Sequence, residues 1–380
     1  MPILTRYLSP GQYGMISIYG VFVGIIGVII GFSTITAFIK IYFDRDYDRK
    51  AYLSTSIFIS FMSVIIVFVM VFFSANFISR TYGIPISWLY AGVVFVFFNN
   101  IISVQTLLFR MKEKIFSFGV FELSRIIIQA LFSIYLVVYL GYGENGPIIS
   151  GILSSIIFLV VTIILLFKNK SVSALPKKIY INHALKFGLP LIPHTLFGAL
   201  STTVDKIIIA SLLKKEELGI YAVGFAIGAL IKSIEGSIYL AYQPWFFKEM
   251  SSDHCDNNKI VRLSYLIVAF LLVCSLAISL ISKAFLHYYI GEEFITAIRI
   301  IPWVAFSFAI NGMYTVVNQV LMYKEKTGII SIVTALSVGV GVLFNYYFID
   351  MNGLIGAAQA LLLLMTVRTI TMWIYSNNLH

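Results

Sequence analysis

Seven ionisable side chains fall inside runs of apolar residues: Arg125, Lys206, Lys232 and Arg368 on the basic side, Glu122, Asp205 and Glu235 on the acidic side. A basic group at the centre of a bilayer costs at least ~2.5–3.5 kcal/mol, so such groups usually face an aqueous cavity, a partner or a ligand. Glu122 with Arg125, and Lys232 with Glu235, stand three residues apart and can meet on one helix face, which allows local neutralisation. Arg368 has no acidic neighbour on its own segment and needs a partner from another span or from a bound anion. Lys232, Arg368 and Arg125 are therefore the candidate substrate-binding cations. Asp205 and Lys206 are adjacent, so they are expected on different faces, towards the outer end of their span. There Asp205 either carries a coupling cation, H+ or Na+, or is a mouth residue hydrated from outside. His194 reads as a packing histidine before it reads as a proton relay. Asn99, Asn100, Asn311, Asn318 and Gln319 have groups that suit sugars, with interhelical hydrogen bonding the simpler use. No cofactor is expected: a phosphate-cradling glycine loop is absent, and Cys255 and Cys274 show neither metal-ligand nor redox spacing.

The elements that must hold these groups are membrane helices. Hydrophobic residues make up 59% of the chain and charged ones 12%, with a mean hydropathy of +0.94; soluble folds carry about 25% charge. Eleven continuous apolar runs can cross a core of roughly 30 Å, at 15–38, 54–78, 88–109, 116–140, 147–167, 189–213, 218–242, 264–281, 300–323, 327–349 and 354–375. They do not alternate, which argues against barrel strands. The loops after the odd-numbered spans hold 17 Lys and Arg against six on the other side, so the basic loops and the C-terminus are expected in the cytoplasm. The net charge of +10 then marks a membrane face and calls for no nucleic acid.

The chain also repeats itself. LTRYLSPGQYGMIS at 4–17 is echoed about 205 residues on by IASLLKKEELGIYAV, and RMKEK at 110–114 by YKEK 212 residues on. The turn containing Asn145 and Gly146 is matched 207 residues later by Asn352 and Gly353. A same-sense repeat in a membrane chain needs an even number of spans per unit, and two halves about a central cleft is a transporter design. The expectation is an all-α, polytopic membrane helix bundle of two parallel six-helix repeats: a lobe at 1–168 with five spans, a basic linker at 169–188, and a six-span lobe at 189–380. The counterpart of the sixth span falls mostly before residue 1, so the first helix is expected to be missing. The linker suits either the anionic inner leaflet or solvent.

LTRYLSPGQYG, LKFGLPLIPHTLFG at 185–198, TTVDKIIIASLL with Asp205 and Lys206, and LGIYAVGFAIG at 218–228 together resemble the polysaccharide repeat-unit flippases. These belong to the multidrug, oligosaccharidyl-lipid and polysaccharide exporter superfamily. The resemblance covers essentially the whole chain and implies two lobes in the bacterial inner membrane that move undecaprenyl-diphosphate-linked oligosaccharide, an O-antigen or capsule unit, to the outer leaflet. It implies as partners that lipid-linked oligosaccharide, the surrounding membrane lipids, and polysaccharide polymerase and chain-length machinery. An anion carried outward gains about 2.3 kcal/mol per charge per 100 mV, so ATP is not required. Two other classes stay open. A cation-coupled drug exporter of the same superfamily would favour an acidic cavity, against four basic and three acidic in-span residues here. A membrane polymerase or ligase would present its catalytic groups on a long outer loop, and the outer loops are short.

Overall fold

The computed structural model describes residues 3–42, 47–172, 176–250, 257–324 and 327–377. The helices are α1 (Pro10–Ile29), α2 (Thr34–Ile41), α3 (Arg49–Tyr82), α4 (Ile86–Met111), α5 (Ile115–Ile134), α6 (Asn145–Lys168), α7 (Lys178–Gly188), α8 (Leu191–Leu200), α9 (Val204–Leu212), α10 (Lys215–Gly228), α11 (Leu230–Met250), α12 (Asn257–Tyr289), α13 (Ile301–Tyr323) and α14 (Thr327–Asn377). They form two compact units, an N-terminal one of residues 15–199 and a C-terminal one of residues 1–14 with 200–380. The large hydrophobic side chains on α3, α5 and α12 are turned outward: Phe73 is 79% exposed and Phe116 84%. Such a surface is stable against hydrocarbon and not against water.

Nine of the described helices are long and apolar enough to cross a membrane. α14 has 51 residues, about 76 Å at 1.5 Å per residue, which is more than twice the bilayer core. It is broken at Gly353, whose φ of 57° and ψ of −133° leave the helical region. Met372 packs with Ile330 and Val333, so the two arms fold back on each other and make two crossings. With the interrupted pair α8 and α9 taken as one crossing, the described residues supply the eleven expected.

Three expected continuous spans are interrupted. The run at 15–38 breaks at 31–33, where Gly31, Phe32 and Ser33 all have positive φ. The freed backbone groups are met by side chains: Gly31 N–H donates to Ser63 Oγ at 2.8 Å, and Asn100 Nδ2 donates to the Ile30 carbonyl at 3.3 Å. Such breaks in a membrane helix persist where protein re-satisfies the backbone. The run at 189–213 breaks at 201–203, and that at 218–242 at Ala229. Hydropathy averaged over a span of about 20 residues is blind to these breaks because each occupies only one to three residues: Gly31 to Ser33, Ser201 to Thr203, and Ala229.

In the N-terminal unit, Phe38, Tyr52, Leu53, Leu107 and Leu166 form a core joined by Tyr180 and Ala184 of α7. The basic segment is thus a helix docked on α2 and α3, with Tyr180, Ala184 and Gly188 buried and Lys178 and Lys186 outward. Asp48 caps α3 by accepting from the Lys50 and Ala51 N–H groups; the Ala51 amide, ahead of the smaller pull of Lys177, holds its carboxyl below the usual carboxylate range.

The C-terminal unit contains a contact that the repeat spacing leads to. Gly14 on α1 and Gly219 on α10 are 205 residues apart, the offset of the repeat, and they pack against each other. A Cβ on Gly219 would come within 1.8 Å of the Pro10 carbonyl oxygen, and one on Gly14 within 2.1 Å of that of Lys215. Pro10 and Lys215 are themselves 205 apart, so the contact is reciprocal.

The orientation is checked by thiol labelling. In a variant without Cys255 and Cys274, Tyr142→Cys and Met351→Cys are expected to react with an impermeant reagent outside intact cells. Lys168→Cys should stay protected until the membrane is opened. Reaction of Lys168→Cys from outside would invert the topology.

Candidate functional site

Glu235 and Arg368, two of the in-span charges of the C-terminal unit, come together where α11, α13 and the second arm of α14 meet. Phe308, Asn311 and Thr315 sit at helical spacing on one face of α13. The Asn311 amide joins two charged groups: its Oδ1 accepts from Arg368 Nη2, and its Nδ2 donates to Glu235 Oε1 at 2.8 Å. Thr315 Oγ1 donates to the same carboxylate oxygen at 2.5 Å. The Arg368 guanidinium lies 4.4 Å from the centre of the Tyr314 ring. Both Arg368 and Glu235 are buried. Each keeps one polar atom without a hydrogen-bond partner, Arg368 Nε and Glu235 Oε2. Buried polar atoms left in this state are uncommon and call for water, an ion or a ligand.

The pairing of Lys232 with Glu235 that their spacing allows does not occur among the described residues. Glu235 takes its hydrogen bonds from α13, and Lys232, exposed on α11, has its ammonium 5.8 Å from the Phe308 ring. Three residues of helical spacing bring the two within reach, but Asn311 and Thr315 offer Glu235 shorter donors that cost less to hold in place. Asp205 and Lys206 depart from expectation in the opposite sense. Though adjacent, they pair, with Lys206 Nζ 3.7 Å from Asp205 Oδ1. Placement next to the break at 201–203 lets this happen: Lys206 curls back to the Thr202 carbonyl at 3.2 Å, which aims it along the helix. Asp205 is only 1% exposed, not hydrated from an outer mouth, and its second oxygen accepts from Tyr221 Oη at 2.5 Å. The Lys206 ammonium rests 3.3 Å from the Phe225 ring centre, and Phe225 packs edge-on against Phe308. Two lysines thus flank one aromatic pair, Lys206 with its charge balanced by Asp205 and Lys232 beside a ring face that attracts a cation without neutralising it.

In the N-terminal unit, Glu122 and Arg125 form the expected ion pair at 3.0 Å. Glu122 also accepts from Thr106 at 2.8 Å, and Arg125 Nη1 donates to Asn99 Oδ1 at 3.1 Å. Asn99 and Asn311 are 212 residues apart, the offset between the two basic turns, and each accepts from an arginine. The arginines come from helices that do not correspond, Arg125 from α5 and Arg368 from α14. The sequence singled out both asparagines as interhelical hydrogen-bonding groups but did not pair them with the arginines, although the offset was there to be applied to Asn99. Asn99, Asn100 and Asn311 serve interhelical bonds, whereas Gln319 Nε2 donates within its own helix to Thr315. The side chain of His194, and Cys255, lie outside the described residues.

Residues 3–271 match the family described as polysaccharide biosynthesis protein. A protein of the Lsg locus of Haemophilus influenzae is 21% identical over 344 residues, 89% of this chain and 83% of that one. An inward-facing multidrug resistance MATE family transporter of the MOP superfamily shares the fold with a TM-score of 0.72 at 12% identity, over 99% of this chain and 92% of the other. The lipid II flippase MurJ, in an inward closed conformation, gives 0.71 at 14% identity over 99% and 83%.

Proposed function

We propose, because the chain belongs to the polysaccharide biosynthesis protein family, that it is a flippase carrying undecaprenyl-diphosphate-linked oligosaccharide from the inner to the outer leaflet of the bacterial inner membrane. The observation that carries this reading is Arg368. It is buried in a spanning segment, makes no ion pair among the described residues, and is held by a neutral amide that leaves Nε unspent. A guanidinium kept charged and oriented in this way suits a diphosphate, whose oxygens take its N–H groups in pairs. Lys232, exposed and unpaired with Glu235, adds a second cation on the same helix cluster. Arg125 is balanced by Glu122 and contributes orientation before charge. A coupling H+ or Na+ has its place at Glu235, whose Oε2 is unspent, in preference to Asp205, whose oxygens are taken by Tyr221 and Lys206.

Arg368→Gln is expected to reduce export by about tenfold to a hundredfold, the loss that follows from one charge-assisted hydrogen bond of about 1.5–3 kcal/mol, and to leave lipid-linked units on the inner leaflet. Lys232→Gln should insert normally and export less, and Lys232→Arg should recover part of it. Unchanged surface polysaccharide from Arg368→Gln at wild-type protein levels would end this reading.

A further inference from the structure

α7 lies at the level where the N-terminal unit enters the bilayer. The Lys177 N–H donates to Thr55 Oγ1 at 3.1 Å, and Thr55 is the second residue of the apolar run at 54–78. At the other end of α7, a Cβ on Gly188 would collide with the carbonyl oxygen of Phe32, within the run at 15–38 and at the break between α1 and α2. Tyr180, Ala184 and Gly188 are buried. The Asp48 N–H donates to Tyr180 Oη, and Tyr52 Oη bonds His183 Nδ1, each at 3.0 Å. The opposite face carries Lys178, Ile179, Asn182 and Lys186, all exposed, within an arc of about 100°. Ile179, 71% exposed, stands between the two lysines. Lys177 is spent on Asp48 at 3.5 Å, whereas Lys178 and Lys186 make no ion pair among the described residues.

We propose that the outward face of α7 binds anionic phospholipid of the inner leaflet, and that the bound lipid steadies the break in the spanning helix on which α7 rests. Charge identifies the occupant. Residues 168–190 hold five lysines and no Asp or Glu. The inner loops of the N-terminal half carry twelve Lys and Arg against four acidic residues, Asp44, Asp46, Asp48 and Glu113. The excess is therefore positive with every acid counted, including Asp44 and Asp46, which lie outside the described residues. Depth favours lipid over solvent. A lysine without a counter-charge at the edge of the hydrocarbon needs an anion. An exposed isoleucine between two such lysines suits a headgroup layer, where the apolar side chain meets the acyl boundary and the cations meet phosphates. Gly188 supplies the link to the span. Main chain rests there on main chain with no side chain between, so a lipid that holds α7 also holds Phe32.

The test is native mass spectrometry of the purified full chain with phosphatidylglycerol and with phosphatidylcholine as separate probes. The wild type is expected to retain phosphatidylglycerol and to lose phosphatidylcholine. Lys178→Gln combined with Lys186→Gln should retain about twentyfold to thirtyfold less phosphatidylglycerol, at roughly fivefold for each basic group near an anionic surface. Lys178→Arg with Lys186→Arg should retain it as the wild type does. So should Lys112→Gln with Lys114→Gln, which are exposed on a different inner loop. Equal losses from the two Gln pairs, or equal retention of the two lipids by the wild type, overturns the proposal. Undecaprenyl diphosphate is the third probe, and its retention to the exclusion of phosphatidylglycerol would assign the face to a transported lipid and overturn the proposal as well. The link to the break is read on the unaltered protein by deuterium exchange. The amides of residues 30–34 should exchange more slowly with phosphatidylglycerol than with phosphatidylcholine, and unchanged exchange refutes the link. Both measurements are made without transport, so their failure is distinct from failure of the flippase reading.

Discussion

Gly219→Ala is expected to abolish transport while the protein still inserts. The added Cβ would meet the Pro10 carbonyl oxygen at 1.8 Å and the Gly14 nitrogen at 2.9 Å. Both are backbone atoms, so no side-chain rotation relieves the clash and the first turns of α1 and α10 must part. Overpacking costs about 1–3 kcal/mol where side chains can adjust, and here the upper part of that range is expected. Gly14→Ala, facing the Lys215 carbonyl oxygen at 2.1 Å, should do the same. The double variant should cost less than the two singles together, because one separation of the helices accommodates both methyl groups. Gly20→Ala is the control, since nothing lies within 4 Å of its Cβ position. Melting temperature and export measured on all four variants decide it: a Gly219→Ala protein indistinguishable from Gly20→Ala would mean that the helices are not in contact.

Asp205→Asn is expected to cost about 3–5 kcal/mol of stability, the usual result of breaking one side of a buried ion pair. Lys206, with 11% of its side chain exposed, would retain the Thr202 carbonyl and the Phe225 ring but lose its counter-charge. Adding Lys206→Met should return most of the loss, because the residual charge is then gone. Thermal unfolding in detergent gives the result directly. A single variant that melts like the wild type would show that water reaches Lys206 and that the pair is exposed.

The sequence displayed the membrane class, the crossings and the repeat, because each is an average over many residues. Apolar runs of about 20 residues and a bias of 17 basic loop residues to six survive local irregularity. The breaks at 31–33 and 201–203 do not show in such averages; the first is held by single bonds from Ser63 and Asn100 on other helices, the second by a local bond from Lys206 back to the Thr202 carbonyl. The site divides in the same way. Glu122 with Arg125 was legible because helical spacing alone brings them together. Lys232 with Glu235 has the same spacing and failed, since Asn311 and Thr315 lie on another helix and outcompete a neighbour on the same one. Asp205 with Lys206 was excluded by regular helix geometry, and the helix is not regular there.

The break in α1 also sets an order of assembly. In hydrocarbon each unmet backbone group costs several kcal/mol, and the groups freed at Ile30 and Gly31 are met by Asn100 on α4 and Ser63 on α3. The first of these bonds joins residues 70 apart in the chain. At a synthesis rate of ~5–20 residues per second, the Ile30 carbonyl waits about 4–14 s for its donor to leave the ribosome. Until α4 arrives, the junction of α1 and α2 cannot rest in lipid as it does in the finished protein. The nascent segment must remain beside the insertion machinery, or stay an unbroken helix that snaps into two only when its partners dock.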